Sequence, residues 1–200
     1  MDFQQGLITT VHDYSLGNLD PKVFNRELGQ RPTTLLIPCL MEEFHRPALA
    51  LIRDTLSGLK GLNKLVIALS ADCAEDVAHA EAFFTGMPFP VVVHWTNGPA
   101  VRDLLESMTD LGLEVTGPPG KGWAVWQGLG VACQDSEVVG LFDADIRTFG
   151  SSYPERMLRP LLDSSHGVAY VKAYYSRLSL ETQALQGRAC LLYTSDAADD

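Results

Sequence analysis

The sequence predicts an α/β domain built on a mainly parallel sheet. Two observations predict it: short β-branched apolar runs alternate with segments of helical spacing, and one of those runs ends on two acids set one residue apart. "TTLLIP" (33–38) is the first run of strand length, followed by "RPALALIRDTLSGL", where Pro47 stands near a first turn and Leu49, Ile52 and Leu56 fall at helical spacing. "KLVIAL" (64–69) precedes the helical pattern "AEDVAHAEAFF", and "PVVVHW" (90–95) precedes "AVRDLLESMTDLG". The run "TGPPGKG" (116–122) reads as a loop leading into the helix "GWAVWQGLGVA", after which "EVVGLF" (137–142) and "VAYVKAYY" (168–175) complete five expected strands. Strand, helix, strand, helix implies a parallel sheet covered on both faces, and in such sheets ligands gather at the carboxyl ends of the strands.

Composition narrows the partners. With 15 Lys and Arg against 25 Asp and Glu the formal net charge is -10, so the chain offers no basic footprint for nucleic acid or an anionic membrane surface. No apolar run approaches the length of about 20 residues that a spanning helix requires, and "MDFQQGLITT" lacks the basic start of a signal peptide, so a cytoplasmic location is expected. Cys39, Cys73, Cys133 and Cys190 are scattered, without a C-x-x-C pair, as reduced thiols are. The last eleven residues, "CLLYTSDAADD", read as the translation of a sequencing adapter and are expected to be a non-native tail. The domain reading is therefore an N-terminal extension over 1–32, an α/β domain over 33–189 that is expected to continue past Ala189 in the natural protein, and the tail over 190–200.

The acids at the end of "VVGLFDADI" carry the chemistry. Strand alternation is expected to turn Asp143 and Asp145 to one side with Ala144 opposite, and two hard oxygen donors suit Mg²⁺ or Mn²⁺, which in turn bridges a diphosphate. A D-x-D after a strand also occurs as a plain solvated turn or helix cap. Two neighbours favour the first reading. "PCLMEE" (38–43) ends the first strand with acids able to accept from a nucleobase or ribose, and "GPPGKG" (117–122) offers helix N-terminal amides and the Lys121 ammonium to phosphate.

Taken in order, "LLIPCLMEEFHRPALALI", "LVIALSAD", "GPPGKGWAVWQGLGVA", "VVGLFDADI", "YVKAYYSR" and "QGRA" resemble the glucosyl-3-phosphoglycerate synthases, over about residues 33–189. The resemblance implies a GT-A, Rossmann-like fold with its acceptor-side part missing, and a retaining, metal-dependent hexosyltransferase that moves glucose from a nucleoside diphosphate-glucose to 3-phosphoglycerate. It assigns the nucleotide to Pro38, Leu40, Glu42 and Ser70, the diphosphate side to Lys121, and the sugar nucleotide and the Mg²⁺ or Mn²⁺ ion to Asp143 and Asp145. The acceptor phosphate falls to Gly187 and Arg188. Lys121, Asp143 and Asp145 are the expected catalytic set, and a homodimer is compatible with the full-length protein.

Some positions depart from the pattern. Met41 stands where Asn is frequent, and "ALSAD" lacks the acid common before the serine, so the base, UDP or GDP, stays open. A further metal-ligand histidine of the family falls after residue 200, and His12, His45, His79, His94 and His166 match no motif, so this fragment is expected to be inactive. A related transferase using glycerate or mannose, or a non-catalytic nucleotide-sugar-binding module, remains the alternative. A dehalogenase-type phosphatase is disfavoured because Ile146 and Arg147 follow the second acid, and a P-loop nucleotidase because Lys121 is followed by Gly122 and not by a hydroxyl residue.

Overall fold

The computed structural model describes residues 20–113, 115, 117–163 and 167–173. Helix α1 (Pro21–Gln30) begins where Asp20 accepts from the Lys22 amide at 2.9 Å and Pro21 occupies a position that needs no amide donor. Strand β1 (Thr33–Leu40) leads through a 3₁₀ turn (Met41–His45) into α2 (Pro47–Leu56). Then come β2 (Lys64–Ser70), α3 (Ala74–Phe83), β3 (Val91–Trp95) and α4 (Pro99–Asp110). The second half adds α5 (Lys121–Ala132), β4 (Val138–Leu141) and α6 (Ser152–Leu162). Helices α1 and α6 were not among the expected elements.

Among the described residues the sheet has four strands in the order β3-β2-β1-β4, and every pairing is parallel. The expected α/β class with a parallel sheet is thus the observed one. The central strands β1 and β2 read as continuous apolar runs because both their faces are covered. Leu35, Ile37, Leu65 and Ile67 face a large core with α2, α3, α6 and α1, while Leu36, Val66 and Ala68 face α5. Helix α5 comes unusually near the sheet. A Cβ at Gly128 would stand 2.5 Å from Leu36 Cδ1 and 3.1 Å from the Ala68 Cβ, so only glycine lets the helix settle there.

Two expectations need revision. Residues 168–173 of the expected fifth strand belong to no strand, and 174–175 lie outside the described residues. β-branched and aromatic composition favours a strand only where an edge is available to pair with, and these six residues pair with none of the four strands. Helix α1 falls within the stretch 1–32 expected as an extension, yet Phe24 and Leu28 are buried and Arg159 of α6 pairs with Glu27 at 3.2 Å.

Chain order reverses at β1. The chain steps outward from β1 to β2 to β3 and then returns to place β4 on the other flank of β1, which makes the β1 and β4 ends the point where a crevice opens.

Candidate active site

Pairing of β1 with β4 stops at Leu36 and Leu141, and the Phe142 amide donates one last bond to the Leu36 carbonyl at 3.0 Å. Pro38 has the same parity as Leu36, so its missing donor points to the side where β4 has already departed, and the proline leaves no ladder bond unmade. The strands part here. The space between them is a cleft of about 640 Å³, bordered by the ends of all four strands, by α4 and by the start of α5.

Of the residues expected from the sequence, Pro38, Leu40, Ser70, Lys121, Asp143 and Asp145 all line this cleft. Glu42 does not. Its side chain is 77% exposed and reaches Arg46 at 3.5 Å, whereas the next residue, Glu43, lines the cleft and is 8% exposed. Glu43 Oε1 accepts from Arg46 Nη1 at 2.6 Å, and Oε2 is buried with no hydrogen-bond partner among the described residues. The tight 3₁₀ turn explains the difference, because adjacent residues on it point in different directions and only one of two neighbouring acids can face inward. Gly187 and Arg188 lie outside the described residues.

Asp143 and Asp145 share the cleft for a reason other than the one expected. Strand β4 ends at Leu141, and Ala144 and Asp145 form a turn beyond it, with the Ala144 side chain buried at 6% exposure. The buried methyl group anchors the turn and leaves a carboxylate on each side of it. Below, Phe142 meets Phe149 edge to face at 5.6 Å and Tyr153 at 5.7 Å, which fixes the base of the loop.

Lys121 is the first residue of α5. It is brought to the acids by Gly120, whose φ of 145° and ψ of -175° lie in a region open to glycine alone. Gly117 permits a second close approach, since a Cβ there would stand 2.4 Å from the Trp123 ring. The Lys121 ammonium donates to Asp143 Oδ1 at 2.5 Å, while Asp145 is exposed. No cluster of three or more His, Cys, Asp or Glu side chains able to hold a metal occurs among the described residues. Two carboxylates are nonetheless the donor set with which Mg²⁺ is commonly held, its remaining positions going to water and to substrate phosphate. The ammonium already seated on Asp143 shows that this position accepts a cation.

Other cleft residues were not singled out in the sequence. Thr96 and Asn97 follow β3: the Thr96 hydroxyl donates to the Leu69 carbonyl at 3.0 Å, and the Asn97 amide group both donates to and accepts from Ala71 backbone. Together with Trp95 Nε1, which donates to the Ala71 carbonyl at 2.9 Å, they clamp the end of β2 and thereby place Ser70. Their signal was the polar pair directly after "VVVHW", at a strand's carboxyl end. Cys39 also lines the cleft, but burial, and secondarily the Glu43 charge, pushes its thiol up to about 12, so it stays protonated and is no nucleophile.

Known proteins can now be set beside this geometry. No family model matches the chain. It is 32% identical over 202 residues to the glucosyl-3-phosphoglycerate synthase of Methanococcoides burtonii, covering 100% of this chain and 50% of the relative. It is 30% identical over 195 residues to the enzyme of the same name from Persephonella marina, covering 96% of this chain and 47% of the relative. The chain thus spans about half the length of the curated relatives it matches, and both carry the name of the family that its motif order resembles. A crystal structure of the Mycobacterium tuberculosis glucosyl-3-phosphoglycerate synthase, in complex with Mn²⁺, UDP and glucosyl-3-phosphoglycerate, superposes with a TM-score of 0.49. It is 19% identical, covering 74% of this chain and 45% of that one.

Proposed function

We propose that this chain is the nucleotide-sugar-binding half of a retaining, metal-dependent glucosyltransferase that moves glucose from a nucleoside diphosphate-glucose to 3-phosphoglycerate. One observation carries the reading: both D-x-D carboxylates and the G-K-G lysine, which come from the end of β4 and the start of α5, line one cleft where the strand order reverses. The two curated relatives, similar along essentially the whole chain, support the same assignment.

In this reading the strand ends at Pro38, Leu40 and Ser70 border the nucleoside, and the buried Glu43 supplies the acid that the sequence attributed to Glu42. Asp143 and Asp145 hold a divalent cation, Mg²⁺ or Mn²⁺. When bound, that ion supplies charge neutralisation for the departing diphosphate. Lys121 stands at the helix N-terminus, where its ammonium and the first α5 amides offer donors to phosphate oxygens as negative charge grows on them. The chain's task is positioning and electrostatics. Arg188 and Gly187 are assigned to the acceptor phosphate, which a guanidinium can grip with two parallel bonds.

Calorimetry with UDP-glucose and GDP-glucose tests the donor half directly on the 200-residue chain. Binding is expected only with Mg²⁺ or Mn²⁺, at tens of micromolar to millimolar, roughly 4 to 6 kcal/mol. Asp145→Asn, which keeps the size and removes the charge, should abolish it. Equal affinity with and without the metal ion, in both proteins, would refute the assignment.

A further inference from the structure

We propose that the Lys121 and Asp143 ion pair is a resting lock on the D-x-D site: the ammonium occupies the position on Asp143 that a divalent cation needs, so a bare cation is held off until a diphosphate draws the lysine away. The inference rests on reading the cleft as a metal and nucleotide-sugar site and adds a coupling between its two ligands.

Three observations support it. Lys121 Nζ lies 2.5 Å from Asp143 Oδ1, with side-chain exposures of 60% and 36%, so the pair is made in contact with water and can be exchanged. The lysine does not arrive there on a drifting loop. It begins a helix that is fixed against the sheet by Gly128 and by Gln127, whose side chain meets His94 Nε2 at 2.9 Å and donates to the Thr96 carbonyl at 3.1 Å. Finally, among the described residues no other cation pairs with Asp143, and Asp145 has no ion-pair partner, so the resting site carries two acids and one resident positive charge.

Charge then dictates opposite effects on the two ligands. A lone divalent cation approaching Asp143 meets an ammonium within a few ångströms, and like charges at that range repel appreciably even near a protein surface. A nucleoside diphosphate brings negative oxygens to which the same ammonium can turn, freeing Asp143 for the cation. Each ligand therefore improves the site for the other, and by linkage the improvement is mutual. A lysine that only gripped phosphate would leave the affinity for metal alone unchanged.

Electron paramagnetic resonance of Mn²⁺ separates free from bound ion and reads this without any turnover. The 200-residue chain would be titrated as wild type, Lys121→Met, Lys121→Gln and Asp145→Asn, with thermal melting to verify folding. Both lysine variants are expected to bind Mn²⁺ alone about tenfold more tightly than wild type, yet to bind UDP in saturating Mn²⁺ about tenfold more weakly. If Asp145→Asn abolishes Mn²⁺ binding while neither lysine variant tightens it, the lock is overturned and the metal site stands. If Asp145→Asn leaves Mn²⁺ binding unaltered, the metal reading falls and the lock with it.

Discussion

Helices α4 and α5 are both twelve residues long, and both form walls of the cleft, but they are held in opposite ways. Helix α5 buries Ala124, Gln127, Gly128 and Ala132 against β1 and β2. None of the α4 residues, all of them among the described residues, is buried, and Leu104 is 59% exposed. The lysine that meets the D-x-D acids stands on the anchored wall. Composition differs as well as packing: α4 carries Arg102, Asp103, Glu106 and Asp110, whereas Lys121 is the one charged residue of α5, and the apolar residues of α5 alone have the sheet to pack on. The cleft therefore has one wall set by the core and one, carrying Val101, Arg102 and Leu105, that contributes no residue to that core.

The contrast breaks most severely at Gly128. Replacing it with alanine gains about 1 kcal/mol of helix propensity but drives a methyl group onto Leu36, and overpacking of that kind costs about 1 to 3 kcal/mol. Gly128→Val forfeits most of the propensity gain and adds two more carbons. It is expected to cost about 3 kcal/mol or more in chemical denaturation. Gly130→Ala, on the same helix but with open space around it, should instead stabilise by up to about 1 kcal/mol. Equal outcomes at the two glycines would mean that α5 does not rest on the sheet as described.

Gln127 sharpens the comparison with a smaller effect. It is buried at 8% exposure and joins His94 to the Thr96 carbonyl, tying α5 to the end of β3. Gln127→Leu keeps the volume but strands both partners, for an expected loss of about 1 to 3 kcal/mol measured by urea unfolding. A change well under that would show that water replaces the side chain freely and that this tie contributes little to the anchored wall.

Much of this was legible in the sequence. The runs of β1 and β2 were visible because burial on both faces makes them continuously apolar, and those of β3 and β4 because they are rich in valine; the cleft residues were found because Pro38 and Ser70 stand at the carboxyl ends of strands, the D-x-D acids follow one, and the G-K-G loop opens a helix. Other features were not. Helix α6 was missed although Tyr153, Met157, Leu158, Leu161 and Leu162 recur at helical spacing; Pro160 inside it is the residue that argues against a helix. Glu42 was favoured over Glu43 because orientation on a 3₁₀ turn cannot be read from composition. The alternation argument placed both aspartates correctly in the cleft for the wrong reason, since strand and turn can each leave two carboxylates on the same opening when the residue between them is small.

The weakest effect is expected on α4, and it tests the other side of the contrast. Sequence periodicity marks Leu104 as one of the helix's apolar positions, which in a packed helix would cost about 2 to 5 kcal/mol to truncate. At 59% exposure it has little to lose, so Leu104→Gln should shift stability by no more than about 0.5 kcal/mol in urea unfolding. Amide hydrogen exchange gives the same comparison without mutation: the α4 amides should exchange faster than those of α5, because a helix with few buried contacts opens locally at lower free energy. Occupancy of the cleft by UDP-glucose and Mn²⁺ should narrow that gap, since Val101, Arg102 and Leu105 border the space the donor fills. Matching protection of the two helices in the empty protein, together with a large loss on Leu104→Gln, would show that α4 is packed against something and that the cleft has two anchored walls.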